Sequence, residues 1–146
     1  MPSDSKQDNL PLVPRGLADE AGGNGPVLRG GHCPQCGRDF FPRPRYCPTC
    51  LRPPDGRSLG GDGVIYSYTV VRARPPFGLP QPYAVGYIDL DQSGLRIFGL
   101  LNPAHIGQLA MGRRVRLEVG PLGQDGQGEP CRRPYFSLAP EEGHDA

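Results

Sequence analysis

Two Cys-x-x-Cys pairs ten residues apart, followed by five short alternating segments divided by Pro/Gly turns, predict a mainly β protein. The expected architecture is a four-cysteine zinc ribbon over 27–60 and then a small five-stranded Greek-key barrel over 61–138. One short helix interrupts the barrel strands. A flexible N-terminal segment (1–26) and an acidic C-terminal tail (139–146) flank these units. The 146 residues suit one ordinary domain or two very small ones. Their 22 glycines and 19 prolines raise disorder as an alternative, but they concentrate in tails, turns and the cysteine block. The strand segments keep enough apolar residues for one thin core, of a size that gains from a metal and from a partner.

The N-terminal segment carries Pro2, Pro11, Pro14 and the run Gly22-Gly23-Asn24-Gly25, with only scattered aliphatics. Such a stretch builds no core, although residues 10–17 are apolar enough for a short docking segment. Next come Cys33-Pro34-Gln35-Cys36 and Cys47-Pro48-Thr49-Cys50. Zinc takes four thiolates in a tetrahedron at about 2.3 Å, and a two-residue turn brings each pair to a common ion. Gly37 supplies the permissive backbone that a tight knuckle needs, whereas the second knuckle has Leu51 at that position. Phe40-Phe41-Pro42 forms a small apolar floor between them.

Four cysteines make a closed shell, so this zinc is expected to be structural rather than catalytic. It would supply about 10–16 kcal/mol of apparent binding energy to a module with little core. Two disulfides, or an iron–sulfur or rubredoxin-like iron site, share the same residues. The absence of a secretory signal disfavours disulfides, and iron stays open as an electron-carrier alternative. His32 is expected to face solvent rather than act as a fifth ligand. Cys131 reads as a small buried hydrophobe.

From Gly61 the texture turns to strands at 64–71, 84–90, 95–101, 115–119 and 133–138. Asn102 as N-cap and Pro103 at the first helical position introduce a helical turn over 104–109. A short helix between the third and fourth of five strands is the pattern of the oligonucleotide/oligosaccharide-binding (OB) barrel. The stretch 120–130, rich in Gly and Pro, reads as an exposed loop. In the second strand Ala84, Gly86, Ile88 and Leu90 share one face, and in the third Leu95, Ile97, Gly99 and Leu101 do. With those faces inward, Val85, Tyr87, Phe98 and Leu100 form an exterior too apolar for solvent alone. A covering loop, the N-terminal tail or a subunit interface would each account for it.

A formal charge of +1 excludes a polycation that clings to DNA or anionic membrane by bulk electrostatics. There is no run of 18 apolar residues and no signal-peptide core, so a cytoplasmic protein is expected. The cations are almost all arginine, as a GC-rich genome would produce or as planar recognition of phosphate would select. Catalytic motifs are missing: no Gly-x-Ser-x-Gly elbow, no His-Glu-x-x-His and no dinucleotide fingerprint. His105 and His144 have no nucleophile nearby in sequence, and Asp89 with Asp91 reads as a solvated turn pair. Intrinsic catalysis is not expected.

Cys33-x2-Cys36-Gly37, Phe41-Pro42-x-Pro44, Cys47-Pro48-x-Cys50 and Gly61-x-Gly63-x-Ile65-Tyr66-Ser67-Tyr68-Thr69-Val70-Val71 then carry a resemblance. Pro82-Tyr83-Ala84-Val85, Asp89-Leu90 and Gly112-x-x-Val115-x-Leu117 extend it over roughly 30–119, and Pro134-Tyr135-Phe136 adds to it more weakly. The chain resembles the zinc-ribbon/OB-fold proteins that accompany thiolase-like acyl-CoA enzymes, including small subunits of benzoylsuccinyl-CoA thiolase-type complexes. One departure is the Gly/Pro-rich stretch 11–31, which stands where the family often has a helical segment.

The resemblance implies a non-catalytic accessory subunit whose thiolase-like partner performs thiolysis or a retro-aldol cleavage in a hetero-oligomer, in aromatic or steroid catabolism. It also implies acyl-CoA at or near the interface. CoA carries a 3′-phosphate and a pyrophosphate, for which Arg43, Arg45 and Arg52 near the ribbon and Arg72 and Arg74 after the first strand are candidates. Each of these reads equally well as a solvated surface charge. Phe77, Val85, Tyr87, Phe98 and Leu100 are the candidate partner contacts. The rival is a nucleic-acid-binding ribbon and OB module, with Tyr87 and Phe98 as stacking residues. Net charge and the acidic tail stand against it.

Overall fold

The cysteine block folds as a small antiparallel sheet centred on one strand. The computed structural model describes residue 10, residues 18–19 and residues 25–140. The expected tails, and the docking segment at 10–17, therefore lie largely outside the described residues. β1 (Ala18–Asp19), β3 (Arg38–Phe40) and β4 (Asp55–Gly60) all pair with β2 (Val27–Cys33). The pairings Gly31↔Phe40 and Gly31↔Gly56 place both flanking strands on the glycine-rich middle of β2.

The barrel strands are β5 (Asp62–Val71), β6 (Tyr83–Leu90), β7 (Arg96–Leu101), β8 (Arg114–Gln124) and β9 (Pro130–Leu138). They close in the order β5-β6-β7-β9-β8, with β8 returning to β5 through Gly63↔Val115. Every pairing is antiparallel except β7 with β9, which run parallel at Leu101↔Phe136. That strand order, with one short helix after the third strand, is the OB topology expected from the sequence. Alternation holds on β6 and β7: Ala84, Ile88, Leu90, Ile97 and Leu101 are buried, while Tyr87 and Phe98 face outward.

Leu28 and Leu59, from the ribbon sheet, are buried in the same apolar cluster as Ile65, Ile88, Leu117 and Phe136 from the barrel. The two sheets thus share one core. Phe41 packs against the edge of this shared core.

The helical turn is a 3-10 helix, Pro103–Gln108, too short and too interrupted by Gly107 to become α-helical. Asn102 Oδ1 accepts from the Ala104 N–H at 2.9 Å, and Asn102 Nδ2 donates to Ser137 Oγ at 2.9 Å. His105 Nδ1 accepts from the Leu138 N–H at 3.1 Å, so this ring ties the helix to β9.

The expectation of a loop over 120–130 is corrected. β8 runs on to Gln124 and β9 begins at Pro130, so only 125–129 turn. Glycine and proline hide the strand in sequence. A register shift between Pro121 and Gln124 accommodates them, and Arg133 donates to the Leu122 and Gln124 carbonyls at 2.9 and 2.7 Å. No helix among the described residues is long and apolar enough to cross a membrane.

The shared core sets the stability. Leu117→Ala is expected to lower unfolding free energy by about 2–5 kcal/mol in urea denaturation of the metal-loaded chain. Met111→Ala, at a residue 72% exposed, is expected to stay within about 0.5 kcal/mol.

Candidate metal centre and outer barrel face

Each Cys-x-x-Cys pair closes a knuckle by the same device. The Gly37 N–H bonds the Cys33 carbonyl at 2.7 Å, and the Leu51 N–H bonds the Cys47 carbonyl at 2.8 Å. The residue after each second cysteine is left-handed, Gly37 at φ 68° and Leu51 at φ 65°. Leucine there is strained by roughly 1–2 kcal/mol relative to glycine, so the second knuckle is the less favourable one, as its sequence suggested.

The four Sγ atoms lie within 4.8 Å of one another. Cys33 and Cys50 are 3.5 Å apart and Cys36 and Cys47 are 3.9 Å apart. A tetrahedron with metal–sulfur bonds of about 2.3 Å has edges of about 3.8 Å, so these thiols fit one tetrahedral ion. The separations are far beyond the about 2.05 Å of a disulfide. Backbone N–H groups led by that of Cys50 bring the Cys47 thiol down to about 6. Burial, reinforced by hydrogen bonds with the other thiols, pushes Cys36 up to about 12. A divalent cation held among them would allow all four to ionise together.

His32 does not simply face solvent. It sits half-buried on the ribbon sheet, its Nδ1 2.7 Å from Asp39 Oδ1 and 2.7 Å from Arg57 Nη1. Cys131 is buried, as its sequence position suggested.

On the barrel exterior Tyr87 and Phe98 are 46% and 58% exposed, their rings 5.2 Å apart and edge-to-face. Beside them Val85 pairs with Leu100, both half-buried. Sequence reasoning missed two members of this face, Tyr66 and Arg96. The Arg96 guanidinium lies 3.4 Å from the Tyr66 ring centroid and grips the Asp89 carboxylate with Nε at 2.7 Å and Nη2 at 3.2 Å. Asp89 and Arg96 flank one tight turn with opposite charges, a signal visible in sequence. Tyr66 was not, because a register shift between Ile65 and Ser67 breaks the alternation there. Next to Phe98 a small apolar cleft opens between ribbon and barrel, lined by Leu28, Phe41, Ile97, Leu117 and Phe136.

The candidate arginines are spread over both units. Arg43 donates from Nε and Nη2 to the Pro54 carbonyl at 3.0 and 2.6 Å. Arg52 Nη1 donates to Gln35 Oε1 at 3.3 Å, and Arg45 is exposed. Arg72 and Arg74 are exposed on the segment after β5, where the Arg72 carbonyl accepts from Gln81 Nε2 at 2.9 Å. Phe77 is tied to the β8–β9 hairpin: its carbonyl accepts from the Gln124 N–H at 2.6 Å, and Arg133 lies over its ring at 5.3 Å.

Two outcomes test this geometry. Chelation of the metal-loaded chain is expected to remove one ion and to abolish amide-exchange protection first across β2, β3 and β4. Cys47→Ser is expected to weaken metal binding at least about tenfold; unchanged affinity would refute the assignment. The second concerns Asp89, whose carboxyl the Arg96 hydrogen bond holds below its ordinary 3.8. Its contribution is complete above that value and is lost as pH falls through the depressed one. Wild type is therefore expected to exceed Asp89→Asn in stability at neutral pH, with the gap closing in acid denaturation curves.

The family model described as the ChsH2 C-terminal OB-fold domain matches residues 56–120. A DUF35 domain-containing scaffold protein of Methanocaldococcus jannaschii is 31% identical over 102 residues, 68% of this chain and 72% of the relative. The benzoylsuccinyl-CoA thiolase subunit BbsA of Thauera aromatica is 33% identical over 131 residues, 87% of each chain. Among solved structures, the Ltp2-ChsH2(DUF35) aldolase is similar at 26% identity and a TM-score of 0.62. That similarity spans 78% of this chain and 86% of the other.

Proposed function

This chain belongs to the DUF35/ChsH2 OB-fold family, and from that premise we propose that it is a non-catalytic, zinc-binding accessory subunit of a thiolase-superfamily complex. The observation that carries the reading is its similarity to the thiolase subunit BbsA across 87% of both chains. The aldolase structure that contains a DUF35 protein supports it independently. In this reading the partner cleaves the carbon–carbon bond of an acyl-CoA, by thiolysis or retro-aldol chemistry, in the cytoplasm. The substrate comes from aromatic or steroid catabolism.

Each part of this chain then has a defined task. Zinc bound by Cys33, Cys36, Cys47 and Cys50 leaves no position open for water or substrate, so its role is to hold β2, β3 and β4 together. Tyr87 and Phe98, with Val85 and Leu100 beside them, offer the apolar, aromatic centre that subunit interfaces favour. Phe77 extends that contact. Arginines from Arg43, Arg45, Arg52, Arg72 and Arg74 bind CoA phosphates, for which guanidinium forks are suited.

The experiment is capture of the tagged chain from its native host, with mass spectrometry and zinc analysis of the eluate. A thiolase-like protein in stoichiometric amount with one zinc per chain is expected. Phe98→Arg is expected to reduce capture of that protein at least about tenfold, as loss of a central interface aromatic does. Met111→Ala is expected to leave it unchanged. Nucleic acid in the eluate, or a stable chain with no partner, would refute the proposal.

A further inference from the structure

One face of the ribbon sheet has no side chains at its centre. Gly31 of β2 and Gly56 of β4 are paired directly, and Arg29 lies two residues from Gly31 on the same face. A third element crosses this bare floor. The Arg43 stem passes over Gly31, where an added Cβ would come within 2.9 Å of Arg43 Cγ. Two of its guanidinium nitrogens, Nε and Nη2, are committed to the Pro54 carbonyl, which fixes the direction of Nη1.

That direction is shared. A Cβ placed on Gly56 would lie 3.2 Å from Arg43 Nη1 and 3.3 Å from Arg29 Nη2. Two cationic tips thus converge on one point above a glycine, and none of the ion pairs described involves either of them. The carboxylates nearby in sequence are engaged or face elsewhere: Asp39 holds His32 and Arg57, and Asp55 pairs with His32 on the opposite side of the sheet. Two like charges approach this closely at a free-energy cost that a shared anion removes.

We propose that Arg29 and Arg43 form a phosphate-binding site over the glycine pair Gly31 and Gly56. The two glycines leave room for the Arg43 stem and for both tips, and the two forks reach the anion's oxygens from β2 and from the segment between β3 and β4. The phosphate is that of a small nucleotide-like ligand. Its identification as the 3′-phosphate of the acyl-CoA rests on the function proposed above; the site itself rests on the convergence of the two guanidinium groups.

The test uses the full metal-loaded chain, titrated calorimetrically with inorganic pyrophosphate, CoA and 3′-dephospho-CoA. Wild type is expected to bind pyrophosphate and to prefer CoA to its dephospho form. Arg29→Ala and Gly56→Ala are each expected to weaken pyrophosphate binding at least about tenfold and to erase that preference, whereas Arg116→Ala, at an exposed partner of Asp62 on the barrel, changes neither. Gly56→Ala keeps both arginines and crowds only their tips, so it separates the site from the fold. If pyrophosphate does not bind, or survives both substitutions, the site is overturned. If pyrophosphate binding depends on Arg29 and Gly56 but CoA does not bind, the site stands and the acyl-CoA reading falls. If CoA binds without regard to either residue, the acyl-CoA reading stands and the site falls.

Discussion

Leu28 and Leu59 leave the ribbon sheet and bury themselves among Ile65, Ile88, Leu117 and Phe136 of the barrel. A ribbon sheet of four short strands and a barrel of five could each bury little apolar surface alone. Pooling that surface joins them without a separate interface. The cysteine knuckles, the glycine floor and the aromatic exterior therefore occupy fixed places on one body.

Arginine is the device that secures the remainder. Gly/Pro-rich backbone has few side chains with which to anchor itself, yet its carbonyls still require donors. Arg43 supplies Pro54, Arg133 supplies Leu122 and Gln124, and Arg132 Nε donates to the Leu10 carbonyl at 2.8 Å. A planar fork reaches two acceptors at once where an ammonium would behave as a point charge. Composition suggested either genomic bias or phosphate recognition, and the fold adds this third use. Arg29 stands apart, since its Nη2 meets another guanidinium tip above a glycine rather than a carboxylate.

The exterior of β5, β6 and β7 follows a related logic. Arg96 is held by Asp89 and lies over the Tyr66 ring, so a charged residue becomes part of an aromatic surface instead of a hydrated spike. Tyr87 and Phe98 continue that surface edge-to-face. A stiff face of this kind loses little side-chain freedom when it is covered.

Features set by neighbours along the chain were readable from the residues. The cysteine spacing placed four sulfurs around one point, the alternation of β6 and β7 sorted inside from outside, and Asn102-Pro103 marked the helical turn. The barrel type followed from the same pattern, whereas the strand order is read from the structure. The tertiary structure alone decided what depends on register between distant strands. The β8–β9 hairpin emerged from glycines and prolines because Arg133 and a bulge hold it, and Tyr66 joined the outer face through a second bulge. The meeting of Arg29 with Arg43 over Gly56 needed three separate segments to be set side by side. Local periodicity records which way a residue points, whereas only the pairing of strands determines what it meets.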